Sequence, residues 1–305
     1  MNRKGIDMPK FGASLYCVSP AITSGKITPE EGVEWLCEHG AEVIEIVPFG
    51  FDPLADKGLA GRMKAAAAKH GIPIDNYSLN ANFLRISEEE WDAEIARAKA
   101  HMNVAKELGA TTLRCDCADY RRPGEANHIE IFYEELPDIV KSYEALCDYA
   151  KTLGMTILLE NHGFHVNGSD RVRQVLKSVR ADNFGHQLDV GNYICMDDKP
   201  EIATKKMLPF AVTVHMKDFY VRNAYRDPGD ATQFDCSGAW FRSAGGQYLR
   251  GAITGQGDLD MIDIIRSVKT SGFGGNIFVE YEGMEDCFYG TKVSMDNVKR
   301  IYDEV

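Results

Sequence analysis

The chain has 305 residues, of which 44% are hydrophobic and 26% charged, as is typical of a folded globular protein with a large core. Its formal net charge of −12 argues against a nucleic-acid partner, because binding phosphates requires clustered lysine and arginine. No stretch is apolar for long enough to predict a transmembrane helix, and the first residues lack the apolar segment of a signal peptide. The eight cysteines are scattered, so we predict reduced thiols and a cytoplasmic protein.

Eight short apolar segments lie along the chain, and a helical pattern follows each of them. Each segment is too short for a helix and is typical of a buried strand. Capping boxes at 28–31 (TPEE) and 87–90 (SEEE) predict two helix starts, and Gly109 predicts a helix end. The predicted strands are 11–17, 42–48, 72–80, 110–117, 155–161, 184–192, 210–218 and 276–283.

Strands that alternate with helices predict a parallel sheet, and eight such units predict a single (β/α)8 TIM barrel over residues 1–305. The alternative is an open doubly wound sheet. That fold favours a glycine-rich turn after the first strand, and the stretch YCVSPAITSG contains no G-x-G-x-x-G. A long loop of little periodicity is predicted at about 219–257, between the seventh strand and its helix. Loops of this length are typically lids or disordered segments, and the aromatic residues here favour an ordered one.

Titratable side chains stand at the ends of four consecutive predicted strands: Glu160, Asp189, His215 and Glu280. Each alone would be an ordinary strand-end or core residue, but in a TIM barrel these ends meet at one mouth. Three carboxylates and an imidazole would destabilise one another there unless a cation lay between them. The set predicts one divalent metal ion, Mn²⁺ first, with Mg²⁺, Co²⁺ and Zn²⁺ left open. Glu282 stays an alternative to Glu280, which we favour because it directly follows the apolar strand.

The motifs LLENHG, LDVGN, VHMKDFY, GQGDLD and VEYEG resemble those of the xylose isomerase-like TIM barrels, a group of sugar phosphate isomerases and epimerases. The resemblance spans nearly the whole chain, and it implies that Glu160, Asp189, His215 and Glu280 are the metal ligands. The group includes ketose 3-epimerases, inosose dehydratases, hydroxypyruvate isomerases, endonuclease IV and subunits that cleave oxidised C-glycosides. Ketose 3-epimerases carry a substrate-contacting histidine three residues after the ligand aspartate, where this chain has Asn192. The further histidines that endonuclease IV needs for its extra zinc ions are not supplied by these motifs.

A divalent ion at the mouth could chelate a carbonyl and a hydroxyl oxygen of a sugar and stabilise the enediolate formed by proton removal. We predict Glu160, Glu280 and His162 as the groups that move protons, since His162 lies two residues beyond Glu160 and faces the same way. The predicted function is a metal-dependent isomerase or epimerase. The alternative is a lyase of the same superfamily that removes water or an aglycone from an oxidised 3-keto sugar. The third hypothesis is a metal-free carbohydrate-binding protein.

We predict that five further residues contact the substrate: Asn192, Lys217, Arg242, Trp240 and Glu45. Trp240 could stack on a sugar ring, and Arg242 could bind hydroxyl groups or a carboxylate. Lys217 is expected to pair with Asp218, and contact with substrate is its alternative. Glu45 is an acid inside a buried strand and requires a partner. The expected partner is a small carbohydrate, and neither a nucleic acid nor a membrane is expected. Assembly into a homo-oligomer or with an accessory subunit is left open.

Overall fold

The structure, a computed structural model, describes residues 8–120, 122–229 and 240–305. The strands in chain order are β1 (Phe11–Ser14), β2 (Ile44–Ile46), β3 (Ile74–Leu79), β4 (Thr112–Cys115), β5 (Thr156–Glu160), β6 (Phe184–Asp189), β7 (Ala211–Met216), β8 (Asp218–Arg222), β9 (Phe241–Arg242), β10 (Tyr248–Ala252) and β11 (Asn276–Val279). Strands β1 to β7 and β11 form a closed parallel barrel in the order β1-β11-β7-β6-β5-β4-β3-β2. The predicted TIM barrel is therefore confirmed.

Helices cover the outside of the barrel. In chain order they are α1 (Ser19–Thr23), α2 (Pro29–Glu38), α3 (Leu59–Lys69), α4 (Glu88–Leu108), α5 (Ile129–Thr152), α6 (Ser169–Ser178), α7 (Pro200–Met207), α8 (Met261–Thr270) and α9 (Cys287–Glu304). Both predicted capping boxes form, one at the start of α2 and one at the start of α4. Gly109 ends α4 with a φ of 102°, a conformation that glycine adopts without strain. None of the described helices combines the length and apolar character needed to cross a bilayer.

The interior of the barrel carries a buried polar network where many barrels hold branched apolar side chains. Asn76 on β3 donates to the carboxylate of Glu45 on β2 and to the amide oxygen of Gln187 on β6, both at 2.5 Å. The hydroxyl of Thr112 on β4 donates to Asn76 at 2.7 Å, and that of Thr213 on β7 donates to Gln187 at 3.3 Å. Side chains that point outward, towards the helices, supply the apolar core. The network lies beneath the mouth and fixes the side chains above it.

Most of the predicted strands extend beyond the observed ones, and two segments differ in kind. Residues 15–17, predicted as the end of the first strand, belong instead to a short 3₁₀ helix, Leu15–Val18. The segment at about 219–257, predicted as a long loop, carries β9, β10 and most of β8 in its described part, and these strands form an antiparallel sheet in the order β8-β10-β9. Residues 230–239 of the loop lie outside the described residues. Of the eight cysteines, the seven in the described part of the chain are free, as predicted.

Candidate metal centre at the barrel mouth

The four predicted ligands meet at the carboxyl end of the barrel strands. Asp189 on β6 lies beside His215 on β7 in the register of the sheet, and Glu160 and Glu280 come from β5 and the end of β11. The Nδ1 atom of His215 is 3.3 Å from Oε1 of Glu160, 3.6 Å from Oε1 of Glu280 and 3.9 Å from Oδ2 of Asp189. Metal–ligand bonds of about 2.1 Å at tetrahedral angles place neighbouring ligand atoms about 3.4 Å apart. The spacing fits a divalent cation, and Glu280 rather than Glu282 completes the cluster.

Each ligand has one polar atom held by the protein and a second atom facing the centre of the cluster. Arg114 binds Oε2 of Glu160 at 2.5 Å, and Lys217 binds Oε2 of Glu280 at 2.5 Å. The backbone N–H groups of residues 191 and 192 donate to Oδ1 of Asp189, each at 2.8 Å.

Three of the four atoms that face the centre have no hydrogen-bond partner among the described residues. Oε1 of Glu160, Oδ2 of Asp189 and Nδ1 of His215 are all buried and unpaired among the described residues. Unpaired buried polar atoms cost about 1–3 kcal/mol each, so three that converge on one point indicate a bound group. Their donor chemistry, two carboxylate oxygens and an imidazole nitrogen, is that of a divalent-cation site.

The shifted pKa values show that the cluster favours positive charge at its centre. Burial lowers the pKa of His215, but Glu45 and Glu280 outweigh it and raise that pKa well above its ordinary value. Burial raises the pKa of Asp189 to about 7. Burial also raises the pKa of Glu160, but the Arg114 guanidinium and His215 outweigh it and hold it at about 2. A divalent cation would displace the proton that these carboxylates otherwise draw to His215.

Glu45 lies behind His215 and not at the predicted substrate site. It is fully buried, and its Oε2 accepts a hydrogen bond from Nε2 of His215 at 2.9 Å. A carboxylate on one imidazole nitrogen leaves the other nitrogen as the ligand atom and increases its basicity. Glu45 therefore orients His215, which is a different role from the contact with substrate predicted from the sequence.

Lys217 does not pair with its neighbour Asp218, so that expectation was wrong. The Lys217 ammonium is buried and contacts the carboxylates of Glu280, Glu282 and Asp189 at 2.5, 3.5 and 3.6 Å. Asp218 points the other way and accepts backbone N–H groups from residues 219, 255, 257 and 259. Neighbouring residues in an extended chain face opposite sides, which separates the two charges.

His162 stands beside the cluster and is more accessible than the ligands. Its Nδ1 is 3.0 Å from Oδ2 of Asp116, and its side chain is 28% exposed, against 2% for Glu160 and 13% for Glu280. Partial burial lowers its pKa, but Asp116 outweighs this and raises the pKa above its ordinary value. The arrangement is that of an imidazole held by a carboxylate, which suits transfer of a proton.

Arg114 and Asp116 are residues of this site that the sequence reasoning missed. They lie two apart at the end of β4, in the stretch RCDC, so both face the mouth. The same spacing identified Glu160 with His162 one strand along, and applying it to the fourth strand would have found this pair.

The other predicted substrate residues have different local partners. Asn192 is buried, accepts from Lys217 at 3.3 Å through Oδ1, and keeps its Nδ2 unpaired. Arg242 donates to the hydroxyl of Tyr248 at 2.8 Å, within the small sheet. The ring of Trp240 packs against the guanidinium groups of Arg222 and Arg250, at 5.5 and 5.1 Å. These contacts anchor Trp240 and Arg242 in the small sheet, and their contact with substrate stays a prediction.

A cavity of about 460 Å³ lies beside the centre, between the segments that follow β1 and β11. Its lining includes Tyr16, Lys26, Tyr281 and Glu282. Glu282 joins the cavity to the cluster, since its carboxylate contacts Lys217 at 3.5 Å. The cavity has the size and the mixed polar and aromatic lining of small-molecule sites.

Known proteins share this architecture. The profile of the family described as xylose isomerase-like TIM barrel matches residues 33–303. Comparison with curated protein sequences gives no significant match. Among solved structures, the chain is similar to the probable 3-DHS dehydratase AsbF of Bacillus anthracis, with a TM-score of 0.73 and 15% identity over 96% of this chain and 99% of that one. It is similar to the D-psicose 3-epimerase of Clostridium cellulolyticum H10, with a TM-score of 0.70 and 14% identity over 96% and 99% of the two chains.

A third similar structure is that of the IOLI protein with a bound zinc atom, at a TM-score of 0.73 and 17% identity over 97% of this chain and 98% of that one. Identities this low show a common fold and do not show a common reaction. The family profile covers most of the chain, and the barrel closes as that family requires. On both grounds, the chain belongs to the xylose isomerase-like TIM barrel family.

Proposed function

We propose that this protein is a divalent-metal-dependent isomerase or epimerase that transfers a proton next to the carbonyl group of a small sugar or sugar-like ketone. The single observation that carries the proposal is the convergence of three buried, unpaired ligand atoms at the barrel mouth, completed by Glu280. Mn²⁺ is our first choice of metal, and Mg²⁺, Co²⁺ and Zn²⁺ are the alternatives. When bound, the metal acts as a Lewis acid that polarises a carbonyl and offsets negative charge on its oxygen.

Metal binding and proton transfer are assigned to two sets of residues that share Glu280. Glu160, Asp189, His215 and Glu280 would hold the metal, the first three each through a buried atom that has no hydrogen-bond partner among the described residues. Because Glu160 is nearly inaccessible and bound by Arg114, we assign it mainly to metal binding.

His162 and Glu280 are more accessible and are our candidates for proton transfer. One of them would remove the proton from the carbon next to the carbonyl. Return of the proton to the opposite face of that carbon gives an epimer. Transfer to the neighbouring carbon, with a hydroxyl proton moving to the carbonyl oxygen, gives an isomer.

Substrate recognition rests on the polar groups around the mouth. The unpaired Nδ2 of Asn192 is a buried donor that a sugar oxygen could satisfy, and Lys217 lies within 3.3 Å of the same side chain. The adjacent cavity of about 460 Å³ can accept a small carbohydrate. The cytoplasmic location and any further subunit stay predictions.

A lyase is the second candidate, and the His162–Asp116 pair favours it. This pair stands beside the four ligands, so it could protonate a leaving oxygen while another group removes the proton from carbon. Asn192 replaces the histidine expected of a ketose 3-epimerase, and the probable dehydratase AsbF shares the fold.

Incubation of the Mn²⁺-loaded protein in D₂O with ketoses, aldoses and 3-keto glycosides tests both candidates. Deuterium bound to carbon in an intact skeleton would support the isomerase or epimerase, whereas loss of water or of an aglycone by mass would support the lyase. His162→Gln should strongly reduce either reaction. His70→Gln is the matched control, because His70 is similarly exposed (29%) and also lies near a carboxylate. No exchange and no elimination with any of these compounds would count against the proposal.

A further inference from the structure

A second group of candidate ligand atoms shares Glu160 with the first. Asp116, Glu160 and His162 each offer one such atom, and these atoms lie within 4.8 Å of one another. Two carboxylates and an imidazole make a donor set similar to that of the main cluster. By spacing alone, the mouth of this barrel offers positions for two cations.

The guanidinium of Arg114 already lies against the two carboxylates of this second group. Its Nη2 is 2.5 Å from Oε2 of Glu160 and 3.0 Å from Oδ1 of Asp116. Its Nη1 donates to the side-chain oxygen of Asn80 at 3.0 Å, which fixes the plane of the group. The side chain is 5% exposed, and arginine keeps its charge under all physiological conditions.

We propose that Arg114 serves as a fixed cation in the place of a second metal ion, and that it thereby restricts the barrel mouth to one metal. This inference rests on the proposed metal centre and gives a reason why that centre would hold one metal ion per chain. Because Arg114 neutralises Asp116 and the outer oxygen of Glu160, neither carboxylate needs another cation. His162 consequently stays without a metal and remains free to move protons.

The other buried cation of the mouth does not have this role. Lys217 contacts the carboxylates of Asp189, Glu280 and Glu282. The first two already belong to the main cluster with His215, and Glu282 belongs to no candidate ligand group of the described residues. Arg114 is thus distinguished by its contacts with both carboxylates of the second group. A charge-removing substitution should therefore expose a metal site at Arg114 and not at Lys217.

The test is the number of Mn²⁺ ions bound at saturation, determined by elemental analysis and by electron paramagnetic resonance on metal-stripped and reloaded protein. Wild type should bind one uncoupled ion per chain, and Arg114→Lys, which keeps the charge, should do the same. Arg114→Met removes the charge but keeps a long side chain, and it should bind two ions with the spectrum of a coupled pair. Adding Asp116→Asn to Arg114→Met should return the count to one. Lys217→Met, the matched control, should gain no second ion.

Each outcome bears on one proposal. A single ion in both wild type and a folded Arg114→Met variant overturns this inference and leaves the proposed metal centre intact. A wild type that binds no Mn²⁺ overturns the metal centre itself. A second ion in wild type overturns the inference whether or not any variant folds. Circular dichroism establishes folding before each count is made.

Discussion

Replacing Glu160 by glutamine separates its contact with Arg114 from its proposed role in binding metal. Repulsion among the clustered carboxylates would predict a metal-free variant at least as stable as wild type. The buried ion pair with Arg114 reverses that sign. Its charge helps to hold the pKa of Glu160 at about 2, against an ordinary 4.5, and each pKa unit corresponds to about 1.4 kcal/mol. An amide carbonyl would keep one hydrogen bond to Arg114. We therefore expect the free energy of unfolding of the variant in EDTA at pH 7 to be about 2–3 kcal/mol lower than that of wild type.

With Mn²⁺ the difference should widen. At a concentration about 1,000 times its Kd, a ligand that binds only the native state stabilises it by about 4 kcal/mol. If Glu160→Gln weakens binding about 100-fold, the same Mn²⁺ concentration stabilises the variant by only about 1.4 kcal/mol. The extra loss, about 3 kcal/mol, is the contribution of Glu160 as a ligand.

Denaturant unfolding of both proteins, in EDTA and in Mn²⁺, measures these quantities. The control is Glu282→Gln, because Glu282 contacts Lys217 at 3.5 Å but lies outside the ligand cluster. This control should keep the full gain from Mn²⁺. If Glu160→Gln lowers the free energy of unfolding equally in EDTA and in Mn²⁺, Glu160 is not a metal ligand. If it does not lower that free energy in EDTA, the ion pair with Arg114 does not stabilise the protein.

Three further changes test other parts of the barrel. Glu45→Gln should weaken Mn²⁺ binding about 10- to 100-fold in calorimetric titration, because the ligand histidine loses its charged partner. Burial lowers the pKa of His186 to about 4, so wild-type stability should fall as the pH drops from about 6.5 towards 4, where only the unfolded chain binds the proton. His186→Gln should reduce that slope in urea melts by up to one proton. Asp218→Asn should lower the free energy of unfolding by about 2–4 kcal/mol, because an amide cannot accept hydrogen bonds from all four N–H groups. Its Mn²⁺ affinity should be unchanged.

The controls for these changes come from the same chain. Glu42→Gln removes a surface acid that pairs with Lys299 at 3.0 Å and should leave Mn²⁺ affinity unchanged. A Glu45→Gln variant that binds Mn²⁺ as tightly as wild type would contradict the role of Glu45 in holding His215. Parallel pH profiles for wild type and His186→Gln would show that His186 does not stay neutral, and loss of Mn²⁺ binding by Asp218→Asn would show that Asp218 supports the metal centre.

The barrel and the ligand cluster were predictable because both depend on short-range patterns. A buried strand has a local signature, and the ends of parallel strands must meet at one mouth. The small sheet of β8, β9 and β10 was not predictable in the same way, because its strands are short and pair across an intervening segment. Its stability comes partly from guanidinium groups on aromatic rings, such as Arg250 on Tyr220 and Trp240, and such contacts have no local pattern.

The pairing of charges was harder to predict than their positions. Lys217 and Asp218 are neighbours in sequence and oppositely charged, which suggested a pair, yet the strand turns them to opposite sides. Glu45 was recognised as an acid in need of a partner, but its partner His215 lies 170 residues further along the chain. Spacing along one strand defines a face, whereas the partner on that face depends on how the barrel closes.

The arrangement of cations explains how the two glutamates of the cluster, Glu160 and Glu280, can stay ionised inside a barrel. Carboxylates that converge in a buried site would ordinarily take up protons and lose their value as ligands. Arg114 and Lys217 each neutralise the outer oxygen of one glutamate, so the inner oxygens stay negative and point to the centre. The backbone N–H groups of residues 191 and 192 hold the outer oxygen of Asp189, and Glu45 holds Nε2 of His215. The four candidate ligands are thus positioned by contacts within the protein, and His162 and Glu280, our candidates for proton transfer, stay more accessible than Glu160.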